Sequence, residues 1–193
     1  MRKIGEMTKS PLSLHCVFWT AACIVAVVIT TSAASFKPRG VAAVVPDIGT
    51  PVPTMDATHI PTGQRFLNYN SNPPTSGPHW GASVRCGIYL NGLPDELAVH
   101  NMEHGNVVIS FNLKNQAEVD RLVGVAKKLP GWNQWGVLRF YPNMDGAGVA
   151  LTAWGVLDVM SGVDEARIRK FWDAYAANRL SEETMAFGPI PCS

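Results

Sequence analysis

The chain has 193 residues, 47% of them apolar, and a formal net charge of +1, which is the length of one domain with appendages. Setting aside residues 1–34 removes Arg2, Lys3, Lys9 and Glu6 and leaves a body of about −1 in which no run of one sign occurs. That balance argues against a nucleic-acid partner, whose footprint on a protein is a clustered basic face.

Residues 1–35 read as a targeting segment. A short prefix holding Arg2, Lys3 and Lys9 leads into an apolar stretch from Leu12 to Ala34, and positive charge ahead of such a stretch keeps the N-terminus in the cytoplasm and sends the rest outward. Counted over its full length the stretch spans a bilayer as a single-pass anchor. Its most apolar part, Val17 to Ile29, followed by Ser32-Ala33-Ala34, also has the form of a cleavable signal peptide. The two readings place the body at the cell membrane, facing outside, or free in the periplasm or medium. Residues 36–56 are rich in proline (Pro38, Pro46, Pro51, Pro53) and read as an extended spacer. Residues 57–193 form the extracytoplasmic domain.

Cys16 and Cys23 fall in the targeting segment and serve there as small apolar residues. Cys86 and Cys192 are the two cysteines of the body, and an exported chain pairs such cysteines as a disulfide. The alternative use of a lone cysteine is metal ligation.

Within the body, 84–90 and 106–111 are short, β-rich and bounded by turn residues, so they read as strands. Residues 116–129 place Val119, Leu122, Val125 and Ala126 on one helical face and end before Pro130-Gly131. Residues 136–141 and 149–154 read as strands joined through Asp145-Gly146 as a hairpin. Residues 164–178 form a second amphipathic helix through Ile168, Phe171, Trp172 and Tyr175. The order ββαββα predicts an α+β fold: a largely antiparallel sheet with the two amphipathic helices packed on one face.

Four histidines of the body, His59, His79, His100 and His104, all precede the first long helix. Residues 99–105 read VHNMEHG. As a helix begun near Pro94 and stopped by Gly105, this segment puts His100 and His104 at i and i+4, the spacing at which two imidazoles share a metal. As a strand it aligns His100, Met102 and His104 on one side. The stiff loop NPPTSGPHW fixes the position of His79, and His59 precedes another proline turn. The donor set suits copper or zinc better than magnesium or calcium. Histidines at turns also commonly do no more than bond a carbonyl, and a metal-free interaction domain with a protein partner at the membrane surface stands as the alternative. The spelling HxxEH further matches the inverted zinc-peptidase pattern, with Glu103 as general base. Such enzymes carry it on a long helix, however, and here a strand follows at once. Ser76 in TSGPH is a turn residue before it is a nucleophile.

The motifs PPTSGPHW (73–80), VHNMEHGNVVISF (99–111) and VALTAWG (149–155), in this order, resemble the domain of unknown function 3105 family over roughly His59 to Tyr175. The resemblance implies an exported or membrane-anchored single domain. It matches the family pattern at His79, His100, Glu103 and His104, and it implies an aliphatic residue at position 102, which sets Met102 apart from the ligands. It carries no activity.

Overall fold

The computed structural model describes residues 46–146 and 148–193. Residues 1–35, read above as a targeting segment, and the first part of the stretch read as a spacer lie outside these residues. Among the described residues no helix is long and apolar enough to cross a membrane.

The elements in chain order are β1 (Thr50–Pro51), β2 (His59–Ile60), β3 (His79–Trp80), β4 (Gly87–Tyr89), α1 (Asp95–Glu103), β5 (Val107–Phe111), α2 (Gln116–Lys127), α3 (Trp132–Trp135), β6 (Gly136–Phe140), β7 (Val149–Ala153), β8 (Val156–Met160), α4 (Glu165–Tyr175) and α5 (Glu182–Phe187). The fold is mixed α+β, built on a six-stranded sheet ordered β1-β8-β7-β5-β6-β4. β1 pairs with β8, so the end of the segment read as spacer joins the sheet.

The sheet departs from the expected antiparallel arrangement. β6 runs parallel to both β4 and β5, while β7 is antiparallel to β5 and to β8. The cause lies in β5. Its sequence, VVISF, is buried along its whole length, and a strand covered on both faces belongs at the centre of a sheet with a neighbour on each side. β6 and β7 therefore flank β5 and do not pair with each other, and the segment around Asp145-Gly146 is a crossing loop, not a hairpin turn. The hairpin is β7–β8, closed at Trp154-Gly155 with Gly155 at φ +68°.

Alternation along β5 sorts the core into two faces. Val107, Ile109 and Phe111 pack with Leu122, Ile168, Phe171 and Trp172 beneath α2 and α4. Val108 points the other way and packs with Ala98, Val99 and Met102 of α1, together with Val137 and Trp154. The expectation that the two amphipathic helices share one face thus holds for α2 and α4, while α1, a third helix outside that expectation, covers the opposite face. Side-chain caps start both amphipathic helices: Asn115 accepts from the Ala117 amide, and Asp164 from that of Arg167.

Candidate metal centre

The functional segment 99–105 adopts its helical form. α1 spans nine residues, starting after Pro94 and ending at Glu103. Gly105 stops it at φ +88°, where a Cβ would come within 2.7 Å of the Asn178 carbonyl oxygen, so neither the backbone angle nor the space admits another residue. The helical spacing turns His100, Glu103 and His104 to one side, and Met102 to the other. Met102 is fully buried in the apolar cluster of that face, which removes it from the ligand set that the extended reading would have given it.

Two further histidines arrive by strand register. β2 and β3 form a two-residue parallel ladder in which His59 is the direct partner of His79, so both side chains leave the same face. The loop before β3 is fixed by its own polar atoms. Thr75 and Ser76 are buried, the Met55 amide donates to Ser76 Oγ at 3.0 Å, and the Gly155 amide donates to the Thr75 carbonyl. Ser76 is thereby committed as a turn residue. β3 lies against α1, and Asn101 ties the chain after it to the helix: its Oδ1 accepts from the Val84 amide, and its Nδ2 donates to the Val84 carbonyl, both at 2.9 Å.

One ligating atom each from His59, His79, His100 and Glu103 lies within 4.8 Å of all the others. His79 is fully buried and His100 and Glu103 nearly so, whereas the His59 side chain is 57% exposed. The ring nitrogens can be assigned from their partners. His79 Nδ1 lies 2.8 Å from the Gly77 carbonyl and His100 Nδ1 lies 2.6 Å from the Trp80 carbonyl. A carbonyl only accepts, so both Nδ1 atoms carry hydrogen, and in the neutral rings both Nε2 atoms present a lone pair. His79 Nε2 then faces Glu103 Oε2 at 2.9 Å, two electron-rich atoms at hydrogen-bond distance. Such an approach needs a cation between them, either a proton or a metal ion. His59 Nε2 is 3.7 Å from the same carboxylate oxygen.

The electrostatics favour a neutral His100 beside an ionised Glu103. Burial pushes His100 down to about 4, aided by the nearby His104 and His79 and opposed by the Trp80 hydrogen bond and by Glu103. Burial alone would raise Glu103. The hydrogen bond from His79 and the charges of His79, His100 and His59 outweigh it and hold the carboxyl below its usual range. His104 is also lowered, chiefly by burial, against the pull of Glu183 and Glu103. Metal ligands must be deprotonated, and for His100 and Glu103 these shifts favour that form at neutral pH.

His104 stands one step out. Its Nε2 is 3.0 Å from His100 Nε2 and 3.6 Å from Glu183 Oε1, but it is not one of the four residues whose ligating atoms converge. The sequence reading thus named three of the converging residues, His59, His79 and His100, and added His104 beside them. Glu103 entered that reading as a general base and as a position of the family pattern, but not as a ligand, although its i+3 distance from His100 on a helix puts it on the same face. Glu183 carried no signal, being far along the chain in α5. The HxxEH pattern does lie on a helix, but a short one, and its carboxylate sits against His79 and His59 instead of standing clear of them.

The model of the family described as Protein of unknown function (DUF3105) matches residues 59–187. The chain belongs to that family. No curated protein and no solved structure matches it. The matched region begins at His59 and contains every residue of the His/Glu cluster, which has the donors to hold a metal ion. Cys86 and Cys192 lie at disulfide distance, with Cα atoms 5.0 Å apart. The Cys192 amide donates to the Gln134 carbonyl and the Ile190 amide to the His104 carbonyl, so the C-terminal tail is fastened along the end of α1.

Proposed function

We propose that this chain is a non-catalytic, extracytoplasmic metal-binding domain whose site takes one zinc or copper(II) ion through His59, His79, His100 and Glu103. The observation that carries this reading is the 2.9 Å approach of His79 Nε2 to Glu103 Oε2, together with the carbonyl partners that hold the Nδ1 hydrogens of His79 and His100. Carbonyls and carboxylates that fix the far nitrogen of an imidazole are the usual supports of a metal-ligating histidine. Three imidazoles and a carboxylate are borderline donors, which favour zinc and copper(II) over the soft cuprous ion or the hard alkaline-earth ions. The exposed His59 gives the ion a way in without opening the core.

Location outside the cytoplasm rests on the charged prefix and apolar stretch of residues 1–35 and on the pairing of Cys86 with Cys192. The domain would stand at the membrane on its proline-rich spacer, or be released by cleavage. An interaction domain with a protein partner is the second reading. It draws on a cavity of about 400 Å³ lined in part by Met55, Thr58, Trp154, Leu180 and Met185, and on the exposed Met185 and Phe187 of α5.

Loading the purified full chain with one equivalent of copper(II) and recording its electron paramagnetic resonance tests the metal reading. Nitrogen hyperfine structure from three imidazoles is the expected result. A spectrum of free or oxygen-ligated copper would overturn it.

A further inference from the structure

Hydrogen-bond accounting around His100 leads beyond the ligand set, and rests on the metal reading just given. His100 Nδ1 donates to Trp80, so a neutral His100 has one free lone pair, at Nε2. Without a metal that lone pair is already taken: His104 Nε2 lies 3.0 Å away, and the bond requires His104 to donate its Nε2 hydrogen. An ion that binds His100 Nε2 must displace that hydrogen. Within the site an acceptor stands ready for it, because Glu183 Oε1 is 3.6 Å from the same His104 nitrogen, a little too far for a hydrogen bond and close enough to become one after a small rotation.

Glu183 belongs to the first turn of α5, and the same end of α5 is tied to the metal site a second time. Ser181 caps it, accepting from the Thr184 amide, and the same hydroxyl donates to the Glu103 carbonyl at 2.5 Å. α5 therefore touches the centre twice, once through the residue after α1 and once through the backbone of a ligand. Its outer side carries Met185, 58% exposed, and Phe187, 84% exposed.

We infer that His104 and Glu183 form a switch that reports metal occupancy to α5: metal binding at His100 transfers the His104 Nε2 hydrogen bond from His100 to Glu183 and draws α5 against the end of α1. No bond to hydrogen is broken in this step; one hydrogen bond is exchanged for another and the ion takes the vacated lone pair. The consequence is an α5 whose position, and whose outward Met185 and Phe187, depend on whether the site is filled. Such coupling needs a difference in contacts between the two states, and the 3.6 Å gap that closes supplies it.

The test is hydrogen exchange of the full chain, with and without one equivalent of zinc, followed by mass spectrometry of the peptide covering residues 178–190. Native mass spectrometry of the same samples counts bound zinc. In the parent, exchange of this peptide is expected to slow by about threefold or more on zinc binding, as a locally ordered segment does. In Glu183→Ala zinc stays stoichiometric and the slowing is lost, while Glu183→Gln, which keeps an acceptor oxygen, restores part of it. Zinc bound with no change in the parent, or an equal change in Glu183→Ala, overturns the switch and leaves the metal site standing. A parent that binds no zinc and no copper(II) overturns both.

Discussion

The two faces of the central sheet are built from different materials. On the α2 and α4 side, Val107, Ile109, Phe111, Leu122, Ile168 and Phe171 make a mainly apolar core, in which the one buried carboxylate, Asp158, is paired with Arg167 of α4. On the α1 side a smaller apolar cluster around Met102 and Val108 is surrounded by buried polar side chains: Ser76, His79, Glu96, His100, Asn101, Glu103 and the fully buried Arg139. Arg139 is held there by Asp95 at 2.7 Å, by Ser110 Oγ and by the Leu93 carbonyl, and Glu96 accepts from the Phe66 amide and from Arg65. These contacts fix the N-terminal end of α1, and the histidine cluster occupies its C-terminal end. Buried polar groups cost stability unless each is paired. The first face is therefore organised for stability, and the second spends part of that stability to hold a site.

The contrast can be broken from either side. The largest effect should come from the covalent tie beneath the α1 face. Replacing Cys86→Ser together with Cys192→Ser opens a link of sequence separation 106 and should cost about 4 to 5 kcal/mol in the chain-entropy account, read as a fall in the denaturant midpoint. Next, Phe171→Ala on the opposite face, a fully buried ring, should cost about 4 kcal/mol. Its folded fraction should still bind metal at the parent stoichiometry, since no ligand touches α4. Loss of metal binding there would mean that the two faces are not separable.

Metal itself should act on the α1 side. Zinc at a hundredfold excess over its Kd should stabilise the parent by about 3 kcal/mol, seen as a rise in Tm. His59→Ala removes an exposed ligand and should change the metal-free stability by no more than about 0.5 kcal/mol, as surface substitutions do, while abolishing most of the zinc-dependent rise. A large metal-free destabilisation would recast His59 as a structural residue. The pH acts on the metal-free protein as well. His100 is held at about 4 in the folded state against an ordinary 6.5, so the unfolded chain takes up its proton first as pH falls. Its contribution to stability is complete above about 6.5 and is lost as pH drops towards 4. Denaturant midpoints should fall through that window, and a midpoint flat across it would show that His100 is solvated.

Much of this was legible in the sequence, for stated physical reasons. The two amphipathic helices repeat apolar residues at helical spacing, and the strands at 107–111, 136–140 and 149–153 carry β-rich runs between turn residues. The pairing of those strands was not legible. It depends on VVISF taking the central position, and a local signal such as Asp145-Gly146 does not reveal which neighbours a buried strand accepts. β8 was missed because Trp154-Gly155 closes a hairpin without the usual Asn-Gly or Asp-Gly spelling. In the site, clustering of histidines was visible, but the choice between helix and strand for 99–105 was not, and Glu103 changes role with that choice. The ladder that sets His59 against His79 is two residues long, too short to leave a periodic trace. The leader and the cellular location lie outside the described residues.

The most direct test is the metal content of the full chain after dialysis, compared with Glu103→Gln, with zinc and copper(II) each added back. Near one ion per chain in the parent, and markedly weaker retention in a folded Glu103→Gln variant, is the result expected from a carboxylate shared with His79 and His59. A parent that emerges free of metal and binds neither ion on addition would contradict the metal centre and leave the buried histidines as structural hydrogen-bonding groups.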